Sequence, residues 1–123
     1  MRLIQRLSGS LAPADGLILS PNGISLAAYY GAWPVRFAPT AEPAEGVRAR
    51  IVRDQTLQLS PRGAPAPAID HFLEEVRPSR IWYVAFRTGS DEEEVLKALG
   101  DRRYNIERID TTTKGRLYLG VLR

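Results

Sequence analysis

Apolar positions fall in short groups separated by turn residues, and their spacing changes from group to group. Leu3, Ile4 and Leu7 lie at i, i+1 and i+4, the stripe of a short helix, which Ser8-Gly9-Ser10 closes. Pro13-Ala14-Asp15-Gly16 is turn chemistry and delivers the apolar strand Leu17-Ile18-Leu19. Ser20-Pro21-Asn22-Gly23 ends that strand. A helix is expected over 24–30, with Gly31 at its C-terminal stop. Val35-Arg36-Phe37 follows as a second short strand.

The pattern weakens over 38–67, where Pro39, Pro43, Pro61, Pro65 and Pro67 interrupt it. The segment reads as a long irregular excursion, with 47–52 and 56–59 as loose edge strands. Ile69, Phe72, Leu73 and Val76 then give a clean i, i+3, i+4, i+7 stripe, a helix over 67–76 that Pro78 stops. Arg80–Phe86 is the strongest strand. It is apolar on both faces, the mark of a strand covered on both sides as in a parallel sheet. Ser90 with Glu93 fits a capping box for a helix that buries Val95, Leu96 and Leu99 and ends at Gly100. Strands over 104–109 and 116–122, joined by a turn at 111–115, form an antiparallel hairpin.

This order predicts a single α/β domain over 1–123. The expected fold is a three-layer open sheet, mostly parallel and doubly wound (Rossmann-like), with a C-terminal antiparallel hairpin. Leu17-Ile18-Leu19 and Arg80–Phe86 should be adjacent parallel strands at its centre. Strand 35–37 should flank the first, strand 104–109 the second, and 116–122 should be the antiparallel edge.

Composition changes this picture little. The 44% apolar and 25% charged fractions over 123 residues are those of a globular domain with a core of its own. Net charge is +3, with arginine far outnumbering the two lysines, Lys97 and Lys114. The arginines are scattered among acids, so no nucleic-acid partner is expected. No cysteine is present, which excludes disulfides, thiolate metal sites and a thiol nucleophile. No run reaches the length of a membrane span, and the opening at 1–7, with Arg2 and Arg6, reads as too short and too charged for a signal peptide.

Candidate chemistry is sparse. GxGxxG and GxxxxGK[ST] are both absent. His71 is the single histidine, and its neighbour Asp70 points away from it on a helix. The acids Asp91, Glu92, Glu93 and Glu94 read as a solvated helix start. No catalytic residue, metal ligand or cofactor is therefore assigned. Two strand-to-helix turns remain, where an open α/β sheet binds ligands. The helix after Gly23 has no acid in its first turn, so its free N–H groups suit an anion. The candidate ligand-binding residues are Ser20, Asn22, Gly23 and Ser25, with Arg87 from the neighbouring turn. The bland alternative makes both segments ordinary capped turns.

One arrangement is familiar: a short helix, Pro13-Ala14-Asp15-Gly16-Leu17-Ile18-Leu19-Ser20-Pro21, a helix with Tyr29-Tyr30, then Arg80-Ile81-Trp82-Tyr83-Val84, an acid-started helix and a closing hairpin. It resembles the soluble C-terminal domain of bacterial multi-spanning membrane glycosyltransferases of the protein-mannosyltransferase-like, GT-C superfamily. The likeness spans the chain except 38–67. It implies a non-catalytic accessory domain on the periplasmic side of the inner membrane, aiding acceptor or partner binding. The parent would use a polyprenyl-phosphate sugar, and its catalytic acid would lie in the membrane part. The implied partners are the transmembrane portion of that parent and a glycan or lipid-linked sugar. The alternative is a free-standing cytoplasmic α/β domain that binds a small anionic ligand.

Overall fold

A computed structural model describes residues 6–7, 9–20, 35–39, 47–51, 55–59, 64–86, 92–112 and 115–123, with the backbone alone for 35–39, 47–51 and 86. The described strands are β1 (Gly16–Leu19), β2 (Val35–Pro39), β3 (Val47–Ile51), β4 (Thr56–Gln58), β5 (Arg80–Phe86), β6 (Tyr104–Thr112) and β7 (Gly115–Leu122). The described helices are α1 (Pro65–Glu75) and α2 (Glu92–Asp101). Residues 6, 7, 9 and 10 are also helical, and Leu11 N–H donates to Leu7 O, so the N-terminal helix includes Gly9 and Ser10, where the sequence placed its end.

Five strands form one mixed sheet in the order β4-β1-β5-β7-β6. β1 is parallel to both β4 and β5, with Ile18 opposite Tyr83. β5 is antiparallel to β7, and β7 to β6. This overturns the doubly wound, mostly parallel expectation: strand outweighs helix, and half of the neighbouring pairs are antiparallel. The central pair β1–β5 is parallel as expected. Its flanks are not those foreseen. β2 pairs with β3 in a separate two-stranded sheet, and β4 takes the place beside β1. β7 lies between β5 and β6, which makes β6 the edge. Within the excursion 38–67, β3 and β4 stand where loose edge strands over 47–52 and 56–59 were expected, β4 at the edge of the five-stranded sheet, and α1 begins at Pro65.

Double burial was the misleading signal. Residues 81–85 of β5 are all buried, as its apolar run predicts. Coverage on two faces does not require parallel neighbours. Ile81, Tyr83 and Ala85 face a cluster with Ile69, Phe72 and Leu73 of α1 and Val95, Ala98 and Leu99 of α2. Both described helices thus pack on the same face, whereas a doubly wound sheet needs helices on both.

The other face carries Leu17, Leu19, Trp82, Val84 and Leu117, all buried. Residues directly opposite in a sheet share a face, so Asp110, opposite Leu117, belongs here too. A register shift between Arg108 and Asp110 marks a bulge that brings Asp110 to this side. There Arg6 pairs with it at 3.8 Å, while Asp15 bonds Trp82. The N-terminal segment, including the fully buried Leu7, is therefore fastened over this face.

Local chemistry explains the helix ends. Pro65 sits in the first turn of α1, where a missing N–H is harmless, two residues ahead of the expected Pro67. Val76 N–H closes the last turn on Phe72 O, before Pro78. After α2, Arg103 takes φ 72°, and its N–H donates to Gly100 O, turning the chain into β6.

Candidate functional site

Three parallel strands, β4, β1 and β5, finish at one end of the sheet. Their ends are laced together: Leu59 N–H donates to Leu19 O at 2.9 Å, and Ser20 N–H to Val84 O at 3.1 Å. β4 and β5 flank β1, so the connection through α1 carries the chain past β1 from one side to the other. A strand flanked on both sides by later parallel strands is the local geometry at which open sheets hold ligands.

Ser20 is at this end, but it is 5% exposed, and its side chain is enclosed rather than presented to solvent. Asn22, Gly23, Ser25 and Arg87 lie outside the described residues, as do the expected helix over 24–30 and the cap Ser90. The adjacency of β1 and β5, on which pairing Arg87 with the first turn depends, is present.

Beside this end, Glu92 opens α2 and is held by two residues of β7. Tyr118 donates its hydroxyl to one carboxylate oxygen, and Arg116 donates to the other. Tyr118 also stacks on Tyr83, opposite it on β5, with ring centroids 5.9 Å apart. Burial, then the bond to Glu92 and its negative charge, push the Tyr118 phenol up to about 12. The acids Glu92, Glu93 and Glu94 make this helix start unsuited to an anion, and Glu92 is already committed to β7.

The opposite end holds a second polar cluster that sequence reasoning missed. Asp15, 4% exposed, accepts from Trp82 Nε1 at 2.9 Å and from Ala12 N–H at 3.0 Å through the same Oδ2. Arg80 Nη2 lies 3.8 Å from that oxygen, and the guanidinium stands 5.6 Å from the Trp82 ring centroid. A buried carboxylate persists because it is hydrogen-bonded and paired. The signal available in the sequence was Trp82 itself, since a buried indole N–H needs an acceptor.

Two further clusters fasten the helix layer. Arg102 donates to Asp70 and Glu74, both at 3.3 Å, tying the end of α2 to α1. Tyr104 donates its hydroxyl to Pro78 O. His71 pairs with Glu75 one turn along α1, where both are exposed. Among the described residues no three His, Cys, Asp or Glu side chains converge as a metal site, and none of the described helices is long and apolar enough to cross a membrane. Comparison with protein-family models, curated proteins and solved structures finds no match for the chain.

Proposed function

We propose that the chain is a non-catalytic accessory domain of a larger membrane glycosyltransferase-like protein. In this reading it stands on the periplasmic side of the inner membrane and helps to hold an acceptor or partner. The observation that carries it is the use made of the polar side chains. Asp15, Glu92, Asp70 and Glu74 all accept from groups that join separate elements. Chemistry by general acid–base catalysis needs such a group within reach of a substrate proton. Here these carboxylates fasten β1 to β5, α2 to β7 and α1 to α2. The polyprenyl-phosphate sugar chemistry then belongs to the membrane part of the parent.

An epitope tag on the natural protein, followed through cell fractionation, tests this reading. The expected result is a tagged membrane species well above 13.7 kDa, cleaved by protease once the outer envelope is opened. A tagged 13.7 kDa species in the cytosol overturns it.

One observation favours a second reading, a small anionic ligand at Ser20, Asn22, Gly23, Ser25 and Arg87. The strand ends at Ser20 and Val84 are joined side by side. Titration with inorganic phosphate, followed by amide NMR, should then shift Asn22, Gly23 and Ile24. Shifts confined to 89–92, or none at millimolar phosphate, count against it.

A further inference from the structure

β6 is the edge of the five-stranded sheet beyond β7, and two hydrogen bonds fix which of its backbone groups face outward. Arg123 N–H donates to Arg103 O, and Leu122 N–H donates to Ser79 O, on the β5 side of β7. Tyr104 stands opposite Leu122, so this pair exchanges no bonds between β6 and β7. Bonded and unbonded pairs alternate along an antiparallel ladder. Tyr104, Ile106 and Arg108 therefore point their N–H and C=O groups away from β7, while those of Asn105 and Glu107 point into it. Among the described residues none bonds to the outward groups.

Such a row is a template for another strand, and the side chains narrow what can pair with it. A two-fold axis sets a strand antiparallel to its own copy and places one residue opposite itself. With Ile106 at that position, Glu107 falls opposite Asn105 of the second copy, and Arg108 opposite Tyr104. No like charges meet. Moving the axis to Glu107 or Arg108 sets that charge opposite itself, which destabilises the pairing. The axis at Ile106 also uses every outward group from Tyr104 to Arg108, and the bulge that follows Arg108 ends the seam. Asn105, Glu107 and Arg108 are exposed and Ile106 is half-buried, so the apposed Ile106 side chains gain burial. The other edge strand, β4, has only 3 residues.

We propose that the chain pairs with a second copy of itself through β6, centred on Ile106, joining two five-stranded sheets into one continuous sheet. Each copy satisfies the other's edge, and the two-fold axis closes the assembly at a dimer. The seam is one strand wide and therefore a small interface, so the dimer should form at roughly 100 µM rather than at nanomolar concentration.

Sedimentation velocity of the 123-residue chain, over a range from about 10 µM to about 1 mM, tests the association. The mass should rise from 13.7 kDa toward twice that value. Amide hydrogen exchange over the same range locates the seam. Protection of Tyr104, Ile106 and Arg108 should increase with concentration, while Asn105 and Glu107, bonded to β7, stay protected throughout. Asn105→Glu sets like charges opposite each other at two symmetry-related positions and should raise Kd roughly 10-fold. Asn105→Lys should lower Kd, and adding Glu107→Lys to Asn105→Glu should restore the parent's affinity. Both positions are exposed, and circular dichroism melts establish that each variant folds; if Asn105→Glu does not, the tightening by Asn105→Lys carries the test. A mass that stays at 13.7 kDa throughout, a dimer that leaves the three outward amides unprotected, or a Kd indifferent to charge at position 105 would each overturn the proposal. So would a monomer in which those amides are already protected, since the chain would then cover its own edge.

Discussion

Trp82 donates its indole N–H to the Asp15 carboxylate at 2.9 Å, joining residues 67 positions apart in sequence. The bond fixes the first residues of β1 against β5 and anchors the N-terminal segment on the same face. Removing the carboxylate leaves two donors, Trp82 Nε1 and Ala12 N–H, without it. Asp15→Ala should cost about 1–3 kcal/mol, the cost of leaving the buried Trp82 donor unpaired. Asp15→Asn keeps an acceptor and should cost less. Trp82→Phe in the Asp15→Ala background should add much less than in the parent, with a coupling of about 1–2 kcal/mol. Urea midpoints of the four proteins decide the matter, and simple additivity would mean the bond contributes nothing.

Gly16 and Gly120 are close-approach positions. A Cβ on Gly16 would lie 2.7 Å from Pro78 Cγ and 3.2 Å from Ile81 Cγ1. On Gly120 it would lie 3.0 Å from Ile81 Cγ2 and 3.3 Å from Tyr104 Cβ. Overpacking of this kind costs about 1–3 kcal/mol. Gly16→Ala should be the worse, because the proline ring cannot swing aside. Pro78→Ala in the Gly16→Ala background should recover part of the loss in denaturation midpoint.

The same glycine explains why the sheet order was not legible in the sequence. The 104–122 hairpin was readable from its strand pattern, but either strand could have docked beside β5. Gly120 opposite Ile81 lets β7 take the crowded central position, which a full-sized side chain at that point would resist. An interior glycine was the available hint. The bulge between Arg108 and Asp110 is a register event that places Asp110 opposite Leu117 and 3.8 Å from Arg6, partners that no local pattern identifies. What local pattern does control was read well: the buried run of β5, the Ile69, Phe72 and Leu73 face of α1, and the parallel contact of β1 with β5. At the candidate site only Ser20 falls among the described residues, and its enclosure depends on neighbouring strands that the sequence does not order.

Arg103 holds φ 72° where the chain leaves α2, a conformation that costs a side-chain-bearing residue about 1 kcal/mol or more. Glycine adopts it freely but adds disorder to the unfolded chain. Arg103 is exposed and loses little packing on replacement. Arg103→Gly should therefore raise stability by about 0.5–1 kcal/mol, read as an upward shift in melting temperature. Arg103→Val, β-branched at the same angle, should lower it.

Tyr118 gives the fold an alkaline limit. A free phenol ionises near 10, and here burial, the bond donated to Glu92 and the charge of Glu92 push it up to about 12. The folded state favours the protonated phenol. Its contribution is fully present below pH 10 and is lost as pH rises from 10 through about 12. Tyr104 moves in the same direction, chiefly through burial. Phenolate absorbance should thus show Tyr118 titrating late, assigned by its loss in Tyr118→Phe. Glu92→Gln removes the charge but not the burial, so the Tyr118 ionisation should fall only part of the way toward 10, with Tyr104 unmoved. An unchanged Tyr118 titration in Glu92→Gln would mean that the carboxylate does not hold the phenol. Denaturation midpoints should agree: above pH 10 the parent should weaken more steeply than Tyr118→Phe, because only the parent must ionise that phenol as it unfolds.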